Sequence, residues 1–266
     1  MLFDDQAERF DERAALPAPA ARRIADVLRD MVSLRPGQRW LELGPGTGAL
    51  SLDLVRSRIA YVGVDSSEAM LSVFRDKLAQ EGLSAELRVA DANAPWPVPD
   101  GGIDVVFSAR AVHHVAVKHA VDELARVASP EGVFLVLGRV KRPPDSVRAE
   151  MRARMRELLA RRGYVGLDHR GHSSRIFEAL ESLGVRRIEP RIAARWTQPR
   201  SPADSLVDWR GKEGLAGLTL PGAVKDEILT ELRAWATEQY GDPHAPLQQE
   251  ESFEVSGAFV KGVGRG

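Results

Sequence analysis

The stretch Trp40-Leu41-Glu42-Leu43-Gly44-Pro45-Gly46-Thr47-Gly48-Ala49-Leu50 joins a short apolar run to a cluster of glycines, and a helical pattern begins after it. This order predicts a strand, a tight turn and a helix. Glycine permits positive φ angles and lets a ligand approach the backbone without meeting a Cβ atom. The start of the next helix offers unpaired N–H groups and the positive end of the helix dipole. We therefore expect a small charged or polar ligand beside Gly44–Gly48.

Strands and helices alternate on both sides of this turn. Apolar runs, some of them rich in β-branched residues, predict strands at 39–43, 59–64, 85–90, 103–108 and 133–140. Apolar residues at helical spacing predict helices at 20–31, 48–56, 68–80 and 117–128. Two further strands, 185–196 and 253–260, lie far apart in sequence. Right-handed crossovers between such strands give a parallel sheet with helices on both faces.

The regular alternation ends after residue 140. Helices are predicted at 146–162, 173–183 and 225–240, and two helical insertions are predicted at 141–181 and 201–249. The core then consists of residues 36–140, 182–200 and 250–266, and residues 1–35 form an N-terminal flap and a helix. The first insertion leaves the carboxyl end of a strand, where ligands of such sheets bind, so we expect the insertions to cap a substrate pocket.

Three acidic residues come near the ends of three neighbouring predicted strands. Glu42 precedes the glycines by two positions, and Asp65 and Asp91 end the second and third strands. Asp65 lies about twenty residues after the turn, where an acid accepts hydrogen bonds from ribose hydroxyls. Asp91 and Ala92 can receive the amino group and a ring nitrogen of an adenine. Each acid alone could instead be a helix N-cap or a solvated loop residue.

The glycine spacing separates two kinds of adenosine ligand. The dinucleotide fingerprint is G-x-G-x-x-G, whereas the three glycines of 44–48 alternate with other residues and Ala49 occupies the position of the last fingerprint glycine. Glu42 would also repel a pyrophosphate. A cationic ligand without phosphates fits better, and S-adenosylmethionine, which carries an amine and a sulfonium, is such a ligand.

These motifs resemble those of the class I S-adenosylmethionine-dependent methyltransferases, especially the ubiquinone/menaquinone-biosynthesis and other small-molecule methyltransferases. The resemblance rests on LELGPGTG (41–48), VGVDSSEAML (62–71), VADANAPWPVPDGGIDVVFSARAVHHV (89–115) and LARVASPEGVFLVLG (124–138). It implies an α/β fold with a doubly wound, seven-stranded, mostly parallel sheet of order 3-2-1-4-5-7-6, the last strand antiparallel, and helical cap insertions. It also implies S-adenosyl-L-methionine as cofactor, S-adenosyl-L-homocysteine as product and a small-molecule methyl acceptor.

The resemblance also assigns cofactor contacts to individual residues. The glycine turn would line the methionine part of the cofactor, with Glu42 beneath the turn. Asp65 would bind the ribose hydroxyls, and Asp91 with Ala92 would hold the adenine. The complete implied set is Arg13, Glu42, Gly44, Pro45, Gly46, Gly48, Asp65, Ser66, Met70, Asp91, Ala92, Ala109 and Arg110, with Arg13 in the flap, Ser66 and Met70 at the adenine, and Ala109 and Arg110 near the sulfonium.

Methyl transfer is an in-line displacement at the sulfonium carbon, in which positioning and exclusion of water supply much of the catalysis. A general base is needed only where the acceptor carries a proton that must leave. His113 and His114 follow the fourth strand, where substrate is expected, and are the candidate catalytic residues. Packing or capping of a helix is the alternative for this pair. His169 and His172 are expected in a solvated loop, and no metal is expected, because no carboxylates are organised near these histidines.

Composition excludes several functions. The 266 residues include no cysteine, so disulfides, a thiolate nucleophile and cysteine-bound metals are absent. The net charge of -1 gives no bulk electrostatic case for nucleic acid or an anionic membrane. No apolar run approaches the roughly 18 residues of a membrane span. We predict a cytoplasmic protein, monomeric or homodimeric, that binds a small molecule and neither nucleic acid nor membrane.

The helix predicted at 146–162 is rich in arginine. Its arginines are Arg148, Arg152, Arg154, Arg156, Arg161 and Arg162, interleaved with Glu150 and Glu157. A solvated helix face is expected, and a patch for an anionic substrate or RNA is the alternative.

Two other functions stay open from the sequence. An NAD(P)-dependent oxidoreductase would place a related glycine turn at the same point of the sheet. A non-catalytic S-adenosylmethionine-binding sensor or assembly protein would keep the same cofactor residues.

Overall fold

The computed structural model describes residues 16–109, 111–165, 171–212 and 214–261. Arg13, Arg110 and His169 lie outside the described residues. Within these ranges the helices are α1 Ala18–Met31, α2 Ser51–Val55, α3 Glu68–Gln80, α4 Val117–Val127, α5 Val147–Arg161, α6 His172–Ser182, α7 Pro202–Arg210 and α8 Gly222–Tyr240. The strands are β1 Arg39–Leu43, β2 Ala60–Asp65, β3 Glu86–Val89, β4 Val105–Ala109, β5 Val133–Lys141, β6 Arg187–Arg200, the two-residue β7 Gly214–Leu215 and β8 Leu218–Thr219, and β9 Leu247–Val260.

Seven strands form one sheet in the order β3-β2-β1-β4-β5-β9-β6. The first five are parallel, with Leu43 opposite Val64 and Glu42 opposite Phe107. β9 runs antiparallel to β5, since Arg139 contacts Glu254 whereas the earlier Phe134 contacts the later Phe259. The expected α/β fold and strand order are therefore confirmed, with β9 as the seventh strand of the large sheet.

The described residues divide into two compact units. We define the core unit as the described residues of 1–140, 170–194 and 253–266, and the second unit as the described residues of 141–169 and 195–252. In the core unit, apolar side chains of the central strands pack against α4 and α6 in one buried cluster that includes Leu41, Val106, Leu124 and Phe177. In the second unit, α5, α7 and α8 surround their own cluster.

Helix α6, which the sequence pattern assigns to the 141–181 insertion, belongs to the core unit. Ile176, Phe177 and Leu180 are each 1% exposed and belong to the core-unit cluster. The guanidinium of Arg187 in β6 also lies 4.5 Å from the centre of the Phe177 ring. Their helical spacing gives α6 an apolar stripe, which packs against α4 within this cluster.

Several element boundaries differ from the sequence-based expectation for local reasons. Helix α2 begins at Ser51 rather than at Gly48, because Gly48 has φ +74° and a positive φ does not continue a helix. β9 begins at Leu247 rather than at Phe253, since its first half is polar and lacks the apolar signal of a strand. In the part of the chain described, no helix combines the length and the apolar composition needed to cross a membrane.

Candidate cofactor site

The turn after β1 is built by three glycines in left-handed conformations. The φ angles of Gly44, Gly46 and Gly48 are +75°, +57° and +74°. Their N–H groups donate, respectively, to the Val64 carbonyl at 2.8 Å, to Asp65 Oδ2 at 2.9 Å and to the Pro45 carbonyl at 3.1 Å. Anion-binding turns direct such N–H groups at a phosphate. Here the protein itself accepts all three, which favours a ligand without phosphates.

Asp65 ends β2 and is half-buried. Its Oδ2 accepts from Gly46, and its Oδ1 accepts from the backbone N–H of Ser67 at 3.0 Å. An ionised carboxylate has about four acceptor positions, so each oxygen keeps capacity for one more hydrogen bond. The arrangement holds the carboxylate in one orientation and leaves it able to accept two hydroxyls of a diol.

Glu42 lies in β1, two residues before the first glycine of the turn. It is 2% exposed, and the Tyr61 hydroxyl donates to its Oε2 at 2.7 Å. Burial, and then the negative charge of Glu42, raise the pKa of Tyr61 well above its usual value. Because Glu42 is buried, we assign it to supporting the turn rather than to direct contact with a ligand.

Two of the glycines are required by packing inside the protein. A Cβ atom on Gly48 would lie 2.0 Å from Phe74 Cδ2, and one on Gly44 would lie 2.2 Å from the Cβ of Ala111. Gly48 therefore allows α3 to pack closely on the turn, and Gly44 allows the loop after β4 to do so. The sequence analysis gave these glycines only a ligand-facing role, and the structure adds these contacts.

The loop after β3 is joined to the loop after β4 by a residue that the sequence analysis missed. Asn93 donates from Nδ2 to the His114 carbonyl at 2.8 Å and accepts at Oδ1 from the Ala116 N–H at 2.8 Å. Its own N–H donates to Asp91 Oδ1 at 2.9 Å. The turn itself had a signal in the sequence, because an Asp side chain often accepts from the backbone N–H two residues on. The bonds of the Asn93 side chain to the other loop had none. Asp91 is exposed at the surface of this loop.

His113 and His114 lie in a short 3-10 helix, Val112–His114. Their ring centres are 4.0 Å apart, His113 is half-buried and His114 is exposed. The pair is therefore held side by side at the carboxyl end of β4. His172 is not in a solvated loop as expected: it is the first residue of α6, and its Nε2 lies 2.9 Å from the Val115 carbonyl.

The remaining predicted residues have different environments. Ser66 is exposed, whereas Met70 is 3% exposed and packs in the core. Ser67 is the N-cap of α3, where its Oγ accepts from the Met70 N–H at 3.3 Å. Ala109 is half-buried at the end of β4.

No metal site accompanies this arrangement in the described ranges, since no group of three or more His, Asp or Glu residues there could hold an ion. The residues that could hold a cofactor are the glycine turn, Asp65 and the Asp91-Ala92 edge. Carboxylates suit hydroxyl and amine donors. The donor set therefore fits an adenosine ligand that carries a positive charge.

Comparison with known proteins agrees with this geometry. Residues 41–136 match the family described as methyltransferase domain. The chain is 31% identical over 142 residues to the ubiquinone/menaquinone biosynthesis C-methyltransferase UbiE of Laribacter hongkongensis, covering 51% of this chain and 57% of that protein. It is 29% identical over 153 residues to the 27-O-demethylrifamycin SV methyltransferase of Amycolatopsis mediterranei, covering 56% of each chain. The chain thus spans just over half the length of these curated relatives.

Among solved structures, the YcgJ protein of Bacillus subtilis superposes with a TM-score of 0.56 at 19% identity, covering 90% of this chain and 99% of that one. This likeness concerns the fold. The expected fold is therefore confirmed: residues 41–136 match the methyltransferase domain family, and the chain has the fold of the class I S-adenosylmethionine-dependent methyltransferases.

Proposed function

We propose that this protein transfers a methyl group from S-adenosylmethionine to a small-molecule acceptor. The observation that carries the proposal is the glycine turn, whose Gly46 N–H is taken by Asp65. Because Asp65 accepts from the Gly46 N–H, that N–H is not available to a phosphate. The same bond orients the Asp65 carboxylate, which suits the hydroxyls of a ribose. The match of residues 41–136 to the methyltransferase domain supports the same conclusion.

The core unit supplies the residues that would hold the cofactor. Asp65 accepts the ribose hydroxyls, and Asp91 with the backbone of Ala92 receives the adenine edge. The turn of Gly44–Gly48 faces the methionine part, supported from below by the buried Glu42 and the Tyr61 hydroxyl. Arg13, Ser66, Ala109 and Arg110 keep the cofactor roles that the resemblance implies for them, whereas the burial of Met70 assigns it to packing behind the adenine.

The cofactor supplies an electrophilic methyl group, which an acceptor lone pair takes in line as the bond to sulfur breaks. The protein then needs to position the acceptor and exclude water from the reacting atoms. If the acceptor carries a proton, a ring nitrogen of His113 or His114 takes it. Asn93 keeps this pair in place, because it holds the carbonyl of His114. No metal is part of this proposal.

The segment that matches the relatives does not determine which atom of the acceptor receives the methyl group. One relative is named a C-methyltransferase and the other is named for 27-O-demethylrifamycin SV. Both relatives match little more than half of this chain, so the segment that it shares with them does not fix the acceptor.

The proposal is tested by incubating the full chain with methyl-labelled S-adenosylmethionine and panels of phenols, quinols, amines and carboxylic acids. We expect labelled product and an equal amount of S-adenosylhomocysteine with at least one panel, and less of both from Asp65→Ala when the cofactor concentration is below saturation. Tight binding of the cofactor with no transfer to any acceptor would instead support a non-catalytic binding protein.

A further inference from the structure

The second unit brings together arginines from three segments of the chain. Arg148, Arg152 and Arg156 recur every fourth residue along α5 and so share one side of the helix. Arg142 follows β5, and Arg200 ends β6. Arg142 and Arg148 both act electrostatically on Arg152, and Arg200 acts on Arg142. We call this group the arginine cluster.

Two members of the arginine cluster are fixed by buried acids. Arg142 Nε donates to Glu251 Oε1 at 2.5 Å, and the Glu251 side chain is 3% exposed. Arg148 Nη1 donates to Asp208 Oδ2 at 2.6 Å, where the two side chains are 16% and 10% exposed. These two ion pairs hold the side chains of Arg142 and Arg148 in place.

The other side of the cluster lacks counterions. Within the described ranges, neither Arg152 nor Arg156 makes an ion pair or a side-chain hydrogen bond, although Arg154 and Arg162 on the same helix each have a glutamate partner. Arg152 is exposed and Arg156 is half-buried, so a ligand can reach both side chains. Partial desolvation, and then the charges of neighbouring arginines, lower the pKa of Arg152 to about 10. Arg148 also retains a buried Nε without an acceptor.

Like charges held close together disfavour the folded state unless an anion joins them. Guanidinium groups match the two-oxygen edge of carboxylates and phosphates and bind them with paired hydrogen bonds. We propose that Arg152 and Arg156, supported by Arg142 and Arg148, bind the phosphate or carboxylate group of a small molecule. The inference concerns the second unit alone and does not depend on the proposed methyl transfer.

A small anion fits this cluster better than an RNA backbone does. A polyanion needs a continuous basic track, whereas Glu251 and Asp208 lie within the cluster and Glu150 and Glu157 interrupt α5. The net charge of the whole chain is -1.

The test is calorimetric titration of the full chain with pyrophosphate and, separately, with citrate, in a chloride buffer of low ionic strength. Arg152→Gln should weaken binding of the preferred anion by about tenfold or more, since hydrogen bonds between charged groups are worth roughly 1.5–3 kcal/mol. The double variant Arg152→Gln, Arg156→Gln should show no measurable binding. The matched control is Arg161→Gln, because Arg161 is an exposed arginine of the same helix outside the cluster.

The anion that binds more tightly identifies the ligand class as a phosphate or a carboxylate. The inference is overturned if neither anion binds the wild-type chain, or if Arg161→Gln weakens binding as much as Arg152→Gln does. It is also overturned if a single-stranded RNA oligonucleotide binds the cluster more tightly than both small anions. Thermal unfolding provides an independent check. The anion should raise the Tm of wild type and leave the Tm of the double variant unchanged.

Discussion

The backbone N–H of Gly46 donates to Asp65 Oδ2 at 2.9 Å, which fastens the glycine turn after β1 to the end of the neighbouring strand β2. The same carboxylate accepts from Ser67 at the start of α3. One side chain thus sets the geometry of the turn, of the strand end and of the helix entry. The proposed cofactor site depends on this carboxylate more than on any other group.

Replacing Asp65 should therefore impair cofactor binding even when the size of the side chain is kept. Asp65→Ala removes both acceptors and should weaken S-adenosylhomocysteine binding by about 1–3 kcal/mol, measured by calorimetry. Asp65→Asn should also weaken it, because either orientation of the amide points its NH2 group at one of the two backbone donors. The control Asp76→Ala changes an exposed acid of α3 and should bind as wild type does. Unchanged affinity in Asp65→Ala would remove Asp65 from the site.

The contact between Gly44 and Ala111 predicts a pair of variants with opposite effects. Gly44→Ala should destabilise the fold by about 2–4 kcal/mol, since a left-handed φ costs an alanine roughly 1–2 kcal/mol and the 2.2 Å clash adds overpacking. Adding Ala111→Gly removes only the clash, so urea unfolding should show partial recovery. A double variant no more stable than Gly44→Ala would mean that the clash is not the cause.

Tyr61 should stabilise the protein in a manner that depends on pH. Tyr61→Phe leaves the buried Glu42 carboxylate without this donor and should cost about 1–3 kcal/mol near neutral pH. The folded state raises the pKa of Tyr61 above the unfolded value of 10.0, which favours the protonated hydroxyl. The contribution of Tyr61 to the free energy of unfolding is therefore complete below about pH 10, and it decreases as the pH rises above that value.

Urea unfolding of wild type and Tyr61→Phe from neutral to alkaline pH checks this prediction. The difference between the two proteins should narrow on the alkaline side. The control is Tyr164→Phe, because the Tyr164 hydroxyl makes no hydrogen bond within the described ranges. It should change stability by less than about 0.5 kcal/mol. A difference for Tyr61→Phe that widens with rising pH would contradict the assigned direction of the pKa shift.

Asn93 should control the loop that carries His113 and His114. Asn93→Ala removes both side-chain bonds across the two loops, whereas Asn93→Asp retains an acceptor for the Ala116 N–H. Amide hydrogen exchange at Ala116 should therefore accelerate in the alanine variant and stay protected in the aspartate variant. Equal protection of Ala116 in wild type and Asn93→Ala would show that this bond does not hold the loop.

The succession of strands and helices along the chain and the position of Asp65 could be predicted from the sequence, because both follow from local patterns. Apolar runs mark the strands, and an acid at the end of β2 lies at a fixed distance from the glycine turn. The resemblance then supplied the order of the sheet and the antiparallel β9, which the structure confirms.

What sequence reasoning could not provide depends on contacts between distant residues. Phe74 occupies the space beside Gly48, and no spacing rule links these two positions. Helix α6 lies in a predicted insertion, but its apolar side chains belong to the buried cluster of the core unit. The arginines of α5 look like a solvated face until Arg142 and Arg200, from other segments, join them.

The central claim is that the turn of Gly44–Gly48 receives a sulfonium cofactor and not a dinucleotide. Calorimetric titration of the purified chain with S-adenosylmethionine, S-adenosylhomocysteine, NADH and NADPH tests it most directly. We predict saturable binding of the first two ligands and no binding of the dinucleotides, because the turn's three glycine N–H groups are already bonded within the protein. Binding of NADH or NADPH, with no response to S-adenosylmethionine or S-adenosylhomocysteine, would contradict the claim.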